Sequence, residues 1–278
     1  MREIEKIGAA VKRIMAAGKR GIVAMVASTK GSTYRRAGAR CVISEDSETA
    51  GAISGGCLER DLAERAKSWG DDFSARVITY DSSRFDDIVF GLGLGCRGNI
   101  EIIVQPFDAK HPPELPRESE PPRAVVIFGG GTDVEPVAAL GRTIGWNVDV
   151  IAPKDCHPES VASSIELSKY DAAVVMTHNF LYDAALLEAL FATPIPYIGL
   201  LGPKARGDEL MERLNATAEM RQRLYNPIGL DLGGETPEEI ALSIVGEVQA
   251  VFHNRRADSL RDKSGPIHAA APQSKTWT

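Results

Sequence analysis

Two cysteines of this 278-residue chain lie in glycine-rich segments, where a thiol can approach a ligand closely. Cys57 follows Gly55 and Gly56 in ISGGCLERDLAERA, at the predicted N-terminus of a helix. A helix dipole favours a thiolate over a thiol at that position. Cys96 has a similar setting in FGLGLGCRGN, next to Arg97. The pattern is compatible with a reactive sulfur at these positions, and the alternative, which is commoner for a lone cysteine, is a small buried apolar residue.

A basic loop precedes these cysteines. The segment KGSTYRRAGAR places Arg35, Arg36 and Arg40 beside Gly31 and Gly38. Guanidinium groups and free backbone amides together suit an anionic ligand. A basic loop that simply faces water accounts for the same residues, so both interpretations stay open.

A glycine turn, FGGGTDVEPVAALG, follows a predicted strand in the second half of the chain. Gly129 and Gly131 match the first two positions of the dinucleotide-binding fingerprint, whereas its third glycine position is Val134. The next strand ends in Ala152 and then Lys154, where an acid for the ribose is expected. The turn therefore predicts a phosphate site near Lys154 rather than an NAD site, and a tight strand-to-helix connection is the structural alternative.

Polar residues also follow two later predicted strands. His178 comes at the carboxyl end of DAAVVMT, the edge where open parallel sheets bind ligands, and Asp183 in the next helix is its expected partner. A histidine that caps the strand end is the alternative. Lys204 follows Gly202 in GLLGPKAR and predicts a further anion contact.

Composition limits the functional classes. Hydrophobic residues make up 44% and charged residues 25%, and the net charge is -6, which argues against nucleic acid as a partner. No apolar stretch is long enough for a membrane span and the start of the chain is charged, so we expect a cytoplasmic protein. The four cysteines show no Cys-x-x-Cys spacing, which argues against a structural zinc site or a disulfide framework.

The elements that position these residues follow from hydrophobic periodicity. The opening segment, from Ile4 to Met15, has helical spacing and ends at Gly18. Strands are predicted at 21–28, 40–44, 49–54, 75–80 and 99–107, and then strands at 124–128, 148–152, 171–176 and 195–201 alternate with helices at about 132–145 and 182–191. Thr236 and Glu239 have the capping-box spacing of a last long helix.

The predicted fold class is α/β, with a strand-rich α+β N-terminal domain followed by a Rossmann-like parallel-sheet domain. The segment DAKHPPELPRESEPPR, with five prolines in sixteen residues, has the composition of a linker. We expect an N-terminal domain at 1–107, the linker at 108–122, the Rossmann-like domain at 123–256 and a mobile tail at 257–278.

The combination of these motifs resembles the xanthine dehydrogenase accessory protein family of the XdhC/CoxI type. The resemblance extends to about residue 254 and rests on GSTYRRAGAR, GAISGGCLE, GLGLGCRGNIEIIVQP, the glycine turn, VMTHNFLYD, YIGLLGPKAR and PIGLDLGGETPEEIALSIVGEV. The chain departs from the family's usual pattern at Gly130, Thr132, Ala152 and Lys154. These departures count against an NAD site, and the role expected of the second domain is to assist in binding the cofactor or a nucleotide.

The resemblance implies a chaperone-like role, in which the protein binds molybdenum cofactor (molybdopterin), helps its sulfuration and delivers it to a client such as xanthine dehydrogenase. A cysteine desulfurase and a second copy of the chain are further candidate partners. The resemblance places Cys57 and Cys96 near the molybdenum, and the basic loop near the phosphate. The resemblance also assigns the family's Thr-His pair to Thr177 and His178. An NAD(P)-dependent oxidoreductase with His178 as general acid or base is the rival hypothesis, and a scaffold that binds no ligand is a third.

Overall fold

The computed structural model of the protein describes residues 2–31, 33–81, 98–115, 121–157 and 160–264. The chain folds into two compact units, which consist mainly of residues 3–115 and 121–259. Cys96, residues 116–120 of the predicted linker and 265–278 of the predicted tail lie outside the described residues. In the part of the chain that is described, no helix is both long and apolar enough to cross a membrane.

The first unit is built on a five-stranded antiparallel sheet with the strand order β3-β2-β1-β5-β4. The edges of the sheet are therefore β3 and β4. The strands are β1 (Gly21–Gly31), β2 (Arg40–Ser44), β3 (Thr49–Gly51), β4 (Arg76–Asp81) and β5 (Gly98–Phe107).

Two helices cover opposite faces of this sheet, because successive residues of a strand point to opposite sides. Helix α1 (Glu3–Ala16) buries residues at helical spacing against Val23 and Val42, as its periodicity predicts. Helix α2 (Cys57–Ala66) packs Leu58 and Leu62 against the other face. The helix that begins at Cys57 is thus fixed on the sheet by its apolar side.

The second unit contains a five-stranded parallel sheet in the order β10-β9-β8-β6-β7. The chain passes from β6 to the edge strand β7 and then crosses to β8 on the other side of β6. The switch point of this topology, where α/β proteins bind ligands, lies between the carboxyl ends of β6 and β8. The strands are β6 (Ala124–Gly129), β7 (Asn147–Ile151), β8 (Ala172–Met176), β9 (Tyr197–Leu200) and β10 (Leu224–Tyr225).

Helices pack on both faces of the parallel sheet, which confirms the predicted fold class. Phe128 contributes to a core with Leu187 and Leu210 on one face, and Ile127 contributes to a core with Val137 and Ile244 on the other. The helices of this unit are α3 (Val134–Thr143), α4 (Val161–Ser164), α5 (Phe180–Phe191), α6 (Lys204–Arg213), α7 (Ala218–Arg223) and α8 (Pro237–Phe252). A capping box between Thr236 and Glu239 starts α8, as predicted.

Several predicted boundaries differ from the observed ones by one to three residues, and for two of them the local reason is clear. The strand predicted at 49–54 ends at Gly51, because the amides of Ile53 and Ser54 donate to the Glu59 carboxylate instead of to a neighbouring strand. Helix α5 begins two residues earlier than predicted, because the Asn179 side chain accepts a hydrogen bond from the Tyr182 amide and caps it. Side-chain acceptors decide both boundaries.

Candidate functional site

Cys57 is the first residue of α2, as the sequence predicts, and it follows a sharp turn. Gly56 has a φ of 109°, a left-handed conformation that favours glycine. The Cys57 thiol is half-buried and donates a hydrogen bond to the Ser54 hydroxyl, with 3.6 Å between Sγ and Oγ. The turn therefore holds the thiol at the edge of the apolar core, against a polar partner.

The Glu59 carboxylate holds this turn in place through hydrogen bonds. Its Oε1 atom accepts hydrogen bonds from the amides of Ile53 and Ser54, both at 2.8 Å, and its Oε2 atom accepts one from the Ser54 hydroxyl. The Ser54 oxygen in turn accepts from the amides of Gly56 at 3.0 Å and Leu58 at 3.1 Å. Together these bonds connect the carboxylate to the thiol through Ser54.

The Glu59 side chain is buried, with only 5% of the residue exposed. Burial by itself raises the pKa of this carboxyl, but the hydrogen bonds from Ser54 and from the Ile53 amide outweigh it, and the pKa lies below its usual value. Sequence reasoning missed Glu59. Its place three residues after Gly56, the third position of a helix, is the signal that could have identified it.

A cavity of 490 Å³ lies beside the turn. A Cβ atom placed on Gly55 or Gly56 would meet nothing within 4 Å, so the two glycines keep this side of the turn open. Cys57 adjoins the cavity in sequence but is not among the residues that line it. The lining consists of Tyr34, Ile43, Ser47, Thr49, Gly51, Ala52, Ser54, Gly55, Gly56, Glu59, Arg60, Ala63 and Glu64.

The three arginines of the basic loop do not line this cavity; of their loop, Tyr34 does. Arg35 donates to Glu3 at 2.7 Å, so its charge is paired, whereas Arg36 is exposed. Arg40 lies at the start of β2, and its Nε atom is buried with no hydrogen-bond partner among the described residues. The cation that the cavity does contain is Arg60, which was not predicted.

The described cysteines differ in burial, with Cys41 buried and Cys57 half-buried. Burial raises the pKa of the Cys41 thiol to about 12, which agrees with the structural role expected for it. Cys96 lies outside the described residues, so the expectation that Cys57 and Cys96 lie near the same ligand stays a prediction. Among the described residues, there is no group of three or more histidine, cysteine, aspartate or glutamate side chains that could hold a metal ion.

In the second unit, local packing explains two of the three glycines in the turn. A Cβ atom on Gly129 would lie 2.7 Å from Val134 Cγ2 and 2.8 Å from the Met176 carbonyl oxygen. On Gly131 it would collide with Asp133 Oδ1. On Gly130 it would lie 3.5 Å from Pro153, an ordinary contact. The first glycine therefore allows β6, β8 and α3 to pack, and the third makes room for a carboxylate.

His178 lies after the carboxyl end of β8, where the sequence places it, but its partner is not the expected one. Its Nε2 atom lies 2.9 Å from Asp133 Oδ2. Asp183 is buried on α5, where it accepts hydrogen bonds from Thr177 and Arg206. The expected pairing of His178 with Asp183 was wrong, because Asp183 faces the core and Asp133 comes from the glycine turn across the switch point.

The two predicted lysine contacts lie at the same edge of the sheet. Lys154 is exposed in the loop after β7. Lys204 is the first residue of α6 and pairs with Asp208 at 2.8 Å, which neutralises its charge locally.

Comparison with known proteins connects both units to described families. A model of the XdhC Rossmann domain matches residues 125–248, and a model of the XdhC and CoxI family matches residues 14–81. A probable xanthine dehydrogenase subunit of Bacillus subtilis is 27% identical, over 82% of this chain and 92% of that protein. The molybdenum cofactor insertion chaperone PaoD of Escherichia coli is 22% identical, over 90% of this chain and 89% of that protein.

A solved structure has the same fold. A crystal structure of a xanthine dehydrogenase from Bacillus halodurans superposes with a TM-score of 0.73 and covers 94% of this chain and 98% of its own. The sequence identity is 24%, so this likeness concerns the fold alone.

Proposed function

The chain belongs to the XdhC and CoxI family, and from that premise we propose that it is an accessory protein for the maturation of a xanthine dehydrogenase-type molybdenum hydroxylase. The names of the Bacillus subtilis and Escherichia coli relatives support this role. The finer proposal is that the chain binds molybdenum cofactor, protects it during sulfuration and delivers it to the client apoenzyme. Sulfuration needs a sulfur donor, for which a cysteine desulfurase is the candidate partner.

The residues around the first-unit cavity fit such a cofactor. Its 490 Å³ falls within the range of about 300–1,000 Å³ that ligand sites occupy. Gly55 and Gly56 leave its wall open, Tyr34 offers an aromatic ring, and Arg60 offers a cation for a phosphate. Two carboxylates also line the cavity, but Glu59 accepts hydrogen bonds from backbone amides and Glu64 pairs with Lys67. This cavity next to Cys57 is the observation that carries the proposal. Bound there, the cofactor supplies the molybdenum chemistry that the client enzyme uses.

The residues around the cavity would then either bind the cofactor or keep the turn in place. Arg60 would hold the phosphate, and the Tyr34 ring would lie against the cofactor. Cys57 would be the soft ligand for the metal, and its thiol, which does not line the cavity, now donates a hydrogen bond to Ser54. Ser54 and Glu59 act through Cys57 by keeping the turn in place. We assign Arg35, Arg36 and Arg40 to the approach of an anion rather than to its final binding, because they do not line the cavity.

The test fills the cavity without disturbing the fold. Because a side chain on Gly55 meets only open space, Gly55→Leu should fold normally and retain much less cofactor than the wild type, while Gly55→Ala retains most of it. The protein is purified from cells that make the cofactor, and fluorescent oxidised pterin and molybdenum are measured together with thermal unfolding.

Two results would contradict the proposal. The first is wild-type protein that carries neither pterin nor molybdenum and does not activate a molybdenum hydroxylase apoenzyme when cofactor is supplied. The second is a stable Gly55→Leu variant with full cofactor content, which would move the site away from this cavity.

A further inference from the structure

We propose that Asp133 excludes nucleotide phosphates from the carboxyl edge of the second sheet, because its carboxylate lies against Gly131, on the glycine turn that a phosphate would have to approach. The Rossmann-type topology implies a nucleotide at this edge, and the residues present do not fit one. This inference concerns the second unit and does not depend on the cofactor site proposed in the first unit.

The turn and the start of α3 have the general features of an anion site. The turn follows β6 at the switch point, and the N-terminus of α3 carries the partial positive charge that attracts one anion. In this chain a carboxylate lies beside that N-terminus, although its side chain accepts no hydrogen bond from the described amides of the helix. Asp133 directly precedes α3, and its Oδ1 atom lies over Gly131 so closely that even a Cβ atom there would collide with it. A phosphate that approached the turn would meet a carboxylate.

His178 keeps this carboxylate in place. Its Nε2 atom lies 2.9 Å from Asp133 Oδ2, which ties the glycine turn to the loop after β8. The Asp133 side chain is 20% exposed, whereas that of His178 is 60% exposed. His178 has a φ of 57°, which is uncommon for a residue with a side chain. The imidazole therefore covers the carboxylate from the solvent side and opposes its movement away from the turn.

The ribose end of a dinucleotide finds no acidic partner directly after β7 either. A dinucleotide-binding sheet usually ends its second strand in an acid that binds the ribose hydroxyls. Here β7 ends at Ile151 and is followed by Ala152, Pro153 and Lys154. Both recognition elements are thus replaced, and Asp133 is the residue whose charge makes the replacement repulsive.

A gain of phosphate binding tests the inference in the full-length protein. Inorganic pyrophosphate and NADPH are titrated calorimetrically into the wild type, Asp133→Asn and Asp133→Ser, with Glu212→Gln as a control for the change in net charge at an exposed position of α6. Serine is included because it is a good residue before a helix, which preserves the start of α3 if asparagine does not.

We expect the wild type and Glu212→Gln to bind pyrophosphate equally weakly. Both Asp133 variants should bind it roughly tenfold or more tightly, since like charges at contact cost several kcal/mol. Thermal unfolding confirms that at least one Asp133 variant is folded. Tight NADPH binding by the wild type, or no gain in a folded Asp133 variant, would overturn the inference. An equal gain in Glu212→Gln would reduce the effect to net charge and would overturn it as well.

Discussion

At the residue scale, the first unit depends on one buried carboxylate that reaches the candidate thiol through a serine hydroxyl. Glu59 is positioned by α2 and takes the amides that precede it, so the turn that carries Gly55 and Gly56 is held by side-chain bonds. Ile53 and Leu58 anchor the two ends of this turn in the core, and the side-chain bonds hold the residues between them. The charge state of Glu59 therefore contributes to the stability of this turn.

Glu59→Gln tests that dependence through pH. The folded-state pKa of Glu59 lies below the ordinary value of about 4.3, so its contribution to stability is present above that pH and is lost as the pH falls below it. We expect the variant to lower the free energy of unfolding by about 1–3 kcal/mol at about pH 7, and the difference from the wild type to shrink below about pH 4. Urea unfolding at several pH values measures it.

The control for this prediction is Glu209→Gln, which removes an exposed carboxylate from α6. It should change stability by less than about 0.5 kcal/mol at any pH. A Glu59→Gln deficit that stays constant from neutral to acid pH would show that shape, and not charge, accounts for the effect.

The same turn predicts the behaviour of Cys57. Cys57→Ser keeps nearly the same volume and retains a hydrogen-bonding group beside Ser54, but it replaces a soft sulfur by a hydroxyl. Cofactor content should fall several-fold while the midpoint of thermal unfolding changes little. Cys156→Ser, at a half-buried position of the second unit, is the matched control and should keep its cofactor. Full cofactor occupancy in Cys57→Ser would make Cys57 a packing residue.

At the element scale, the glycine turn connects a central strand to a helix over a very short distance. The closeness of β6, β8 and α3 requires a glycine at 129, whereas Gly130 is exposed on the outside of the turn. Neither residue has a positive φ, so only contacts distinguish them. Neighbouring glycines of one motif are thus under different constraints: close packing requires a glycine at 129, whereas no contact requires one at 130.

A pair of substitutions separates these reasons. Gly129→Ala places a methyl group against the Met176 carbonyl and the Val134 side chain, and overpacking of this kind costs about 1–3 kcal/mol. Gly130→Ala makes only ordinary contacts and should change the free energy of unfolding by less than about 0.5 kcal/mol. Chemical denaturation of both variants provides the comparison. Equal stability of the two would mean that the turn can shift to accept a side chain.

At the scale of the whole molecule, local periodicity was enough to predict most of the architecture. The apolar spacing of α1, the alternating strands of the second unit and the Thr236–Glu239 capping box are local signals, and each was confirmed. The Cys57 position at a helix start belongs to the same class, because glycines and an amphipathic pattern mark it.

What the sequence could not provide are contacts between distant segments. His178 and Asp133 lie 45 residues apart, and only the order of the strands brings them together. The same holds for the cavity wall, to which Tyr34 and Arg60 come from separate elements. The nearer acid, Asp183, was the natural choice from sequence alone, and the geometry of α5 turns it towards the core.

The short strand β3 has a further consequence for how copies of this protein behave in solution. β3 is an edge strand of only three residues, and beyond it Glu59 takes the amides of Ile53 and Ser54. Long edges with free amides recruit other chains into intermolecular sheets, and natural proteins suppress this by keeping edges short. We therefore expect the carboxylate that shapes the turn also to limit the pairing of this edge with another chain.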